Sequence, residues 1–260
     1  MKLNSTNPLI CEIDMTHSTK TLSEVIKPYW GKYVAYSISN TPFKNYRKEY
    51  ETLAESLGEI RLCPTANGGP LVKSRDIKVD ENLYKYFASN TKQPLHTDYA
   101  YYPKSESPDW LMLYCINPSE YGGRTHLLTS HTLINIMKKY NPKLLEDIHV
   151  DINWVYLKEG GDIIHNKPIL SGYEINWNYW QIKKELNSSE VMRVREEFFT
   201  FMEKVIGDGC MYDLSKSWKP GDCLIFNDKL TLHGRDAFLG ERWLKDHALY
   251  SNVQVEVSSL

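Results

Sequence analysis

The apolar residues of this chain follow two different periods, and the first of them predicts helices. Segment 41–57 opens with Thr-Pro, continues with apolar residues at helical spacing and is followed by Gly58. A threonine cap, a proline in the first turn and a terminating glycine are signals of helix boundaries. Segment 130–140 begins with a capping serine, and segment 188–206 keeps valine and phenylalanine along one face. We therefore predict helices over 41–57, 130–140 and 188–206.

Most other apolar residues lie in short runs rich in β-branched, aromatic and aliphatic side chains, which predicts strands. Turn signals bound several runs, such as Tyr-Gly-Gly at 121–123 and Lys-Pro-Gly-Asp at 219–222. Strands fill the carboxyl half, helices lie towards the amino end, and one helical segment interrupts the strands. This order predicts a mainly β fold with helices (α+β), a β-barrel or jelly roll. The predicted strands are 33–39, 110–116, 124–129, 223–227, 231–233 and 243–257.

The chain shows no internal boundary and no membrane-spanning segment. No composition shift or low-complexity tract divides it, so we expect one domain over 1–260. Its helical amino-terminal part is expected to reach about residue 90, with the barrel over about 91–257. The longest apolar run is 110–116, whereas a membrane-spanning helix needs about 20 apolar residues. We therefore expect no membrane partner.

Charge narrows the class of partner further. The chain has 31 Lys+Arg against 33 Asp+Glu, a formal net charge of −2. Nucleic acids and anionic membranes are bound through a basic surface, which this balance disfavours. Apolar residues make up 42% and charged residues 25%, which is ordinary for a globular protein. A small-molecule substrate is the expected partner, and the oligomeric state is left open.

The cysteines indicate a reducing compartment. There are five, an odd number, and they are scattered without a Cys-x-x-Cys pair. That pattern is typical of reduced thiols rather than of a disulfide framework. Residues 1–14 contain one lysine and no apolar core, so no secretory signal is expected. A cytoplasmic enzyme is the resulting expectation.

Two His-x-Asp triplets are the strongest candidates for chemistry. They are His96-Thr97-Asp98 and His149-Val150-Asp151. On a strand, residues i and i+2 face the same way, so one imidazole and one carboxylate can reach a common point. A distant histidine would complete a two-His, one-carboxylate site that leaves positions open on Fe(II). The first triplet precedes a short aromatic segment ended by a proline, which we interpret as a strand, whereas His149 lies in a charged stretch. We therefore assign His96 and Asp98 to the metal and His149 to a structural role.

The motifs around the first triplet resemble a known family. In order, they are His96-Thr97-Asp98-Tyr99-x-Tyr101, Leu113-x-Cys115, Gly122-Gly123-Arg124-Thr125, Pro220-Gly221-Asp222, Leu232-His233-Gly234-Arg235 and Arg242-Trp243-Leu244. This series is similar to the Fe(II)/2-oxoglutarate-dependent oxygenases of the taurine dioxygenase and clavaminate synthase-like group. The resemblance implies a double-stranded β-helix (jelly-roll) core with a helical insertion. It also implies Fe(II) as the metal, with 2-oxoglutarate and O2 as cosubstrates.

The same resemblance implies roles for individual residues. His96, Asp98 and His233 would be the catalytic iron ligands. Arg242 would bind the far carboxylate of 2-oxoglutarate, with Arg235 as the competing candidate, because a guanidinium can hold a carboxylate through two parallel hydrogen bonds. Thr125 would hydrogen-bond the same carboxylate.

Substrate contacts are less constrained. Many relatives carry a second arginine four residues after the first, and here that position is Asp246. Asp246 either pairs with Arg242 or receives an amine, guanidine or hydroxyl group of the substrate, and the sequence leaves both possibilities open. The aromatic residues comprise 18 Tyr, 7 Trp and 7 Phe, so most combine a polar group with an apolar ring. Candidates for the pocket wall are Tyr99 and Tyr101 beside the metal strand and Trp154 and Trp177 in the insertion.

These assignments predict an oxygenase that hydroxylates an unactivated C–H bond of a small metabolite, an amino acid or an amino-acid-derived natural-product intermediate. Halogenating relatives lack the carboxylate ligand, so the presence of Asp98 favours hydroxylation over chlorination. Desaturation or oxidative decarboxylation, for example of an amino-acid isonitrile, would use the same ligands. Two alternatives from other classes are a non-catalytic metal-binding barrel and a zinc hydrolase, since two histidines and a carboxylate can also hold zinc.

Overall fold

The computed structural model describes residues 2–4, 7–65, 69–80, 88–103, 105–157, 161–166 and 168–255. Strands prevail in these ranges, accompanied by five α-helices. The helices are α1 (Leu22–Ile26), α2 (Tyr46–Leu57), α3 (Ser130–Tyr140), α4 (Pro142–His149) and α5 (Ser189–Phe201), and a π-helix over Met202–Gly207 continues α5. Short 3-10 helices cover Lys27–Tyr29, Tyr179–Gln181 and Lys184–Leu186. Among the described residues, no helix is long and apolar enough to cross a membrane.

Two sheets carry the architecture. The larger has the order β1 (Lys2–Asn4), β2 (Ile10–Asp14), β3 (Ala35–Ser39), β17 (Cys223–Asn227), β9 (Trp110–Asn117), β20 (Trp243–Tyr250) and β4 (Glu59–Ile60), and β7 (Arg75–Lys78) also pairs with β20. The smaller has the order β16 (Leu214–Lys216), β11 (Thr125–Thr129), β18 (Thr231–Arg235) and β8 (Gln93–His96). The other strands form two-stranded pairs: β5 (Cys63–Pro64) with β6 (Leu71–Val72), β10 (Tyr121–Gly122) with β19 (Phe238–Leu239), β12 (Trp154–Leu157) with β13 (Ile163–Asn166), and β14 (Leu170–Ser171) with β15 (Glu174–Ile175).

The long apolar run of β9 is explained by burial on both of its faces. Trp110, Met112 and Tyr114 pack in one cluster with Tyr50 and other residues of α2. The alternate residues Leu111, Leu113 and Cys115 belong to a second cluster, which includes Leu127 of the smaller sheet. A strand covered on both faces loses the apolar and polar alternation of a half-exposed strand. The second cluster joins the two sheets face to face.

The helical insertion forms a third cluster beside the smaller sheet. Trp154, Trp177, Val194 and Phe198 are buried in it together with Leu232 of β18. The capping serine at the start of α5 is Ser188, whose hydroxyl accepts a hydrogen bond from the amide of Val191. Burial of each such large side chain contributes about 1.5–3 kcal/mol to stability. This packing fixes the insertion against the strand that carries His233.

The predicted mixed architecture, mainly β with helices, is confirmed, and several boundaries differ from the predictions. Helix α2 begins at Tyr46 behind an Asn45 cap instead of at residue 41. Thr41 is not a cap, because its hydroxyl donates to the carbonyl of Gly221 at 2.8 Å. Gly221 has a φ of +82°, a conformation that glycine adopts without strain, in the turn predicted at 219–222. Helix α3 is capped by Thr129 rather than by Ser130.

The amino-terminal part and the segment after Asp98 also differ from the sequence predictions. The described residues up to 80 contain seven strands beside α1 and α2, and five of these strands belong to the larger sheet. Residues 99–102, predicted as a short strand ended by Pro103, form turns and a bend. Helix α4 ends at His149 and Val150 is extended, so this triplet spans the end of a helix and does not lie on a strand. Strand β20 ends at Tyr250 instead of extending to 257.

Candidate metal centre and cosubstrate pocket

Two adjacent strands bring the predicted histidines together. β8 pairs with β18 in antiparallel register, and His96 lies opposite His233. Directly paired residues in an antiparallel sheet point to the same face. The two imidazole centroids are 4.3 Å apart, and both side chains are buried. Residues separated by more than half the chain therefore meet through the pairing of two short strands.

Asp98 completes the cluster. Its Oδ1 lies 3.2 Å from His96 Nε2 and 3.5 Å from His233 Nε2. One ligand atom from each of the three residues lies within 4.8 Å of the others. Two imidazole nitrogens and a carboxylate oxygen on one side of a common point are the donor set that non-haem Fe(II) sites use. This cluster could hold a divalent metal and leave positions for other ligands.

Further residues orient these three side chains. His96 Nδ1 donates to the carbonyl of Pro94 at 2.9 Å, and since a carbonyl only accepts, this assigns the proton to Nδ1 and leaves Nε2 for a metal. The carboxylate of Asp228 accepts from the backbone N–H of Asp98 at 3.1 Å and faces His233 Nδ1 at 3.5 Å. Asp228 therefore contacts two of the three candidate ligands, a role that no motif in the sequence indicated.

Burial and neighbouring charged groups shift the pKa values of Asp98 and His233. Burial disfavours the ionised form of Asp98, but hydrogen bonds from His233 and His96 outweigh it and hold the pKa of that carboxyl well below its usual range. Burial also disfavours the protonated form of His233, yet its contacts with Asp228 and Asp98 raise its pKa to about 9. A metal entering this site at neutral pH must therefore displace a proton from His233.

A buried guanidinium lies in the same cavity. Arg242 is 5% exposed, and its Nη2 lies 3.5 Å from Thr125 Oγ1, which also accepts from Trp218 Nε1 at 3.0 Å. Arg242 Nε has no hydrogen-bond partner within the described part of the chain. Burial, with the nearby charge of Arg235, lowers the pKa of Arg242 to about 9. A carboxylate bound here would supply the missing acceptor and the missing countercharge.

Arg235 is less suited to the same role. Its Nη2 donates to the carbonyls of Ser89 and Thr91, at 2.7 and 2.9 Å. Arg235 also lines the cavity, so it adds positive charge there. The geometry therefore favours Arg242, with Thr125, as the group that could hold the far carboxylate of 2-oxoglutarate.

The cavity has a volume of about 250 Å³ and is lined by residues of both sheets and of the insertion. Tyr99 and Tyr101 line it, as the sequence predicted for pocket residues. Trp154 and Trp177 do not: both are 0% exposed and packed in the insertion cluster, so their prediction as pocket walls is wrong. The indole of Trp154 finds its partner inside the core, donating to the carbonyl of Val150 at 3.0 Å. The insertion reaches the cavity instead through Asn178, Tyr179, Trp180 and Gln181.

Asp246 has a partner that the sequence did not suggest. Its carboxylate accepts from Arg75 at three donors: the backbone N at 3.0 Å, Nε at 3.0 Å and Nη2. The predicted alternative of a pair with Arg242 is therefore wrong. Asp246 is 4% exposed and is not among the residues that line the cavity, whereas Arg75 is. Arg75 Nη2 lies 3.9 Å from Asp98 Oδ2, which places this guanidinium beside the candidate metal ligands.

Comparison with known proteins identifies the family. The model of the taurine catabolism dioxygenase TauD, TfdA family matches residues 8–246. No curated protein sequence matches the chain. Solved structures that resemble it include an asparagine oxygenase in complex with Fe(II), 2S,3S-3-hydroxyasparagine and succinate. That structure has a TM-score of 0.68 and 12% identity over 88% of this chain and 79% of the other.

Two further structures share the fold. The non-haem iron oxygenase OrfP in complex with Fe and alpha-ketoglutaric acid has a TM-score of 0.60 and 14% identity, covering 89% of this chain and 80% of its own. PvcB from Pseudomonas aeruginosa has a TM-score of 0.59 and 16% identity, covering 94% and 89%. Likeness at these identities concerns the fold, and it agrees with the jelly-roll architecture that the sequence motifs implied. Because the family model spans most of the chain, the protein belongs to the taurine catabolism dioxygenase TauD/TfdA family and is an Fe(II)- and 2-oxoglutarate-dependent dioxygenase.

Proposed function

We propose that this enzyme hydroxylates an unactivated C–H bond of a small metabolite, an amino acid or an amino-acid-derived intermediate. The observation that carries the proposal is the single cavity lined by His96, Asp98 and His233 together with Arg242 and Thr125. A metal triad and a buried guanidinium without an ion-pair partner, lining one cavity, fit a metal and a dicarboxylate cosubstrate at the same time.

In this proposal His96, Asp98 and His233 hold Fe(II). The bound metal supplies the coupling of O2 reduction to the oxidative decarboxylation of 2-oxoglutarate. Arg242 and Thr125 bind the far carboxylate of the cosubstrate and so orient its keto-acid end towards the metal site. Leu113, Leu244 and Tyr99 line the cavity with apolar surface, which limits the access of water to the reacting groups.

Asp228 acts through the ligands rather than on the substrate. It contacts the Asp98 amide and His233 Nδ1, and such outer contacts fix the orientation of metal ligands. Asp98 fills the carboxylate position of the triad, which favours hydroxylation over halide transfer. Desaturation or oxidative decarboxylation would need the same ligands and differs only in the fate of the substrate.

The substrate class rests on the size and lining of the cavity and on the relatives. A cavity of about 250 Å³ suits a small molecule, and its wall mixes apolar side chains with Gln93, Asn178 and Gln181. Two of the similar structures contain hydroxyasparagine and hydroxyarginine, which are products derived from amino acids. These observations support an amino acid or a close derivative.

We also propose one catalytic unit that works in a reducing, cytoplasmic environment. The family match over 8–246 and the contribution of both sheets to one cavity support a single unit. All five cysteines are free thiols, and four of them are buried, which suits a compartment without disulfide formation.

The test is substrate-dependent formation of succinate by the Fe(II)-loaded enzyme with 2-oxoglutarate and O2, across a library of amino acids and their derivatives. The proposal expects succinate in step with a product that has gained one oxygen atom. A product that has instead lost two hydrogens, or CO2, would replace hydroxylation by one of the alternatives. The His233→Ala variant serves as the control that removes a ligand from the site.

A further inference from the structure

We infer that Arg75, held by Asp246, binds an anionic group of the substrate, a carboxylate, beside the metal site. This assignment rests on the proposed oxygenase function and adds to it the chemical class recognised at one end of the cavity. It replaces the sequence-based hypothesis that Asp246 itself receives a cationic group.

The first argument is the way in which Asp246 is occupied. Strand β7 pairs with β20 so that Arg75 lies opposite Asp246. Both carboxylate oxygens of Asp246 accept from Arg75: Oδ1 from the backbone N–H at 3.0 Å, and Oδ2 from Nε at 3.0 Å and from Nη2. Asp246 is 4% exposed and its carboxylate is hydrogen-bonded to Arg75, so it is not available to a ligand in the cavity. The group presented to a ligand at this position is therefore the guanidinium.

The second argument is orientation. Asp246 binds Arg75 along the edge formed by Nε and Nη2, which fixes the plane of the guanidinium. The side chain remains 26% exposed and lines the cavity, with Nη2 3.9 Å from Asp98 Oδ2. An arginine held in this way presents its N–H groups in a fixed plane, so binding a ligand carboxylate costs less side-chain freedom than it would with a mobile arginine.

The third argument is the separation of the two cationic positions. Arg242 immediately precedes β20, Asp246 lies four residues further along in that strand, and Leu244 between them lines the same cavity as Arg242. At ~3.3 Å per residue of a strand, the two positions are separated by about 13 Å. 2-Oxoglutarate bound at Arg242 therefore leaves the Arg75 end for a different molecule. That end adjoins Asp98, where a substrate must lie to react.

The fourth argument is the sign of the charges on the cavity wall. The described lining contains three arginines, at 75, 235 and 242, and two acidic residues, Asp76 and Asp98. Asp76 accepts from Trp243 Nε1 at 2.7 Å and from Lys245 Nζ at 2.9 Å, and Asp98 belongs to the metal triad. Neither acid is positioned for an ammonium group of a ligand. Arg242 and Arg75 therefore offer one guanidinium each to the cosubstrate and to a second anionic group, Arg75 while it stays paired with Asp246.

The experiment measures equilibrium binding, so that it does not depend on turnover. The full-length protein is loaded with Zn(II) and 2-oxoglutarate and titrated with protein amino acids, each paired with its primary amide. Loss of the negative charge in the amide is expected to weaken binding by about tenfold or more, because a charge-assisted hydrogen bond is lost. Succinate formation by the Fe(II) enzyme, measured separately, tests the oxygenase function itself.

Variants then assign the contact to Arg75. Arg75→Met alone would leave Asp246 buried without a countercharge, so the main variant combines Arg75→Met with Asp246→Asn. It is expected to weaken binding of the carboxylate by about 30-fold or more and to leave binding of the amide nearly unchanged. Arg193→Met is the matched control, because Arg193 is also paired with acids, Asp147 and Glu197, but lies outside the cavity.

Each other outcome overturns the assignment. Equal binding of carboxylate and amide would show that no anionic group is recognised, and so would the absence of binding by every carboxylate. An equal loss for both ligands in the double variant, or a parallel loss of 2-oxoglutarate affinity, would show that the Arg75–Asp246 pair supports the cavity without contacting the substrate. A Fe(II) enzyme that forms succinate while failing these tests would leave the oxygenase function standing and remove only this inference.

Discussion

Replacing Arg242 with methionine is expected to stabilise the ligand-free protein while removing its affinity for 2-oxoglutarate. The two effects have one cause. Arg242 is 5% exposed, and none of the ion pairs found among the described residues includes it. Its desolvation is therefore uncompensated until an anion binds. Methionine has a similar length and carries no charge.

The stability effect follows from the pKa of Arg242, which burial lowers from 12.5 to about 9. At ~1.36 kcal/mol per pH unit, this difference corresponds to about 5 kcal/mol against the charged side chain, as an upper bound. Lost contacts of the arginine stem offset part of it, so we expect a net gain of about 1–3 kcal/mol in the free energy of unfolding. For a chain of this size the gain raises Tm by about 2–10 °C.

The binding effect has the opposite direction. Without Arg242, the far carboxylate of 2-oxoglutarate would be buried beside Thr125 with no cation to pair with it. Truncating one partner of a buried charge pair costs about 2–5 kcal/mol. The Kd for 2-oxoglutarate should therefore rise by about 30- to 4,000-fold, at ~1.4 kcal/mol for each factor of ten.

Scanning calorimetry of the metal-free protein and titration calorimetry of the Zn(II)-loaded protein with 2-oxoglutarate measure the two effects. Arg193→Met is the control, because Arg193 is 46% exposed, so solvent screens its ion pairs, and it lies outside the cavity. It should leave Tm nearly unchanged or slightly lower, with an unchanged Kd. A lower Tm for Arg242→Met combined with an unchanged Kd would refute both the unpaired charge and the assignment of the cosubstrate site.

Three further predictions concern the ligands and the core. Asp228→Asn removes a negative charge that orients Asp98 and His233, so Co(II) affinity in a spectroscopic titration should fall by about 10- to 100-fold; unchanged affinity would remove the orienting role. Trp154→Ala leaves a cavity in the insertion cluster and should lower the free energy of unfolding, measured with urea, by about 3–5 kcal/mol while the Kd for 2-oxoglutarate stays unchanged. Loss of substrate binding without loss of stability would show that Trp154 contacts the substrate. The pKa of His233 is raised from 6.5 to about 9. The protonated His233 therefore stabilises the metal-free protein fully below pH 6.5, and this stabilisation is lost as the pH rises through 9. The free energy of unfolding should fall by at most about 3 kcal/mol over this range, and His233→Gln should abolish the decrease. A free energy of unfolding that increases over this range would contradict the assignment.

The cluster of three candidate metal ligands was predictable because metal-binding chemistry restricts the residue types. Few side chains bind Fe(II), and the His-x-Asp triplet with a later His-Gly-Arg has a recognisable order. What the sequence lacked was the register that places His96 opposite His233, since β8 and β18 are far apart in the chain. The contacts of Asp228 with Asp98 and His233 were missed for the same reason. A single acidic residue before a strand carries no local pattern that distinguishes it from a surface carboxylate.

The partner of Asp246 shows how strand geometry limits an argument from spacing. The even spacing of Arg242 and Asp246 predicted that both side chains point to one face of a strand, which suggested a pair. Residues four apart on a strand are separated by about 13 Å, whereas on a helix they would be neighbours. The true partner, Arg75, lies 171 positions away on β7, a short strand without apolar alternation. Such a contact arises from sheet topology alone.

The aromatic residues show a second limit. Tyr99 and Tyr101 reach the cavity because the turn after Asp98 carries them there, whereas Trp154 and Trp177 lie in the insertion core. Composition gives all four the same amphipathic character, and only the packing of α3, α4 and α5 decides which rings are covered. The insertion was correctly placed near the cavity, but its contacting residues are those of the 3-10 turn Tyr179–Gln181 and Asn178 before it.

The most direct test of the central claim is the visible spectrum of the anaerobic Fe(II) protein before and after addition of 2-oxoglutarate. If His96, Asp98 and His233 hold the iron and Arg242 orients the cosubstrate, the keto acid should chelate the metal and produce a weak charge-transfer band. The band should be absent in His233→Ala and should require a higher 2-oxoglutarate concentration in Arg242→Met. Folded, iron-loaded wild-type protein that gives no band, or a band that survives in His233→Ala, would contradict the proposed site.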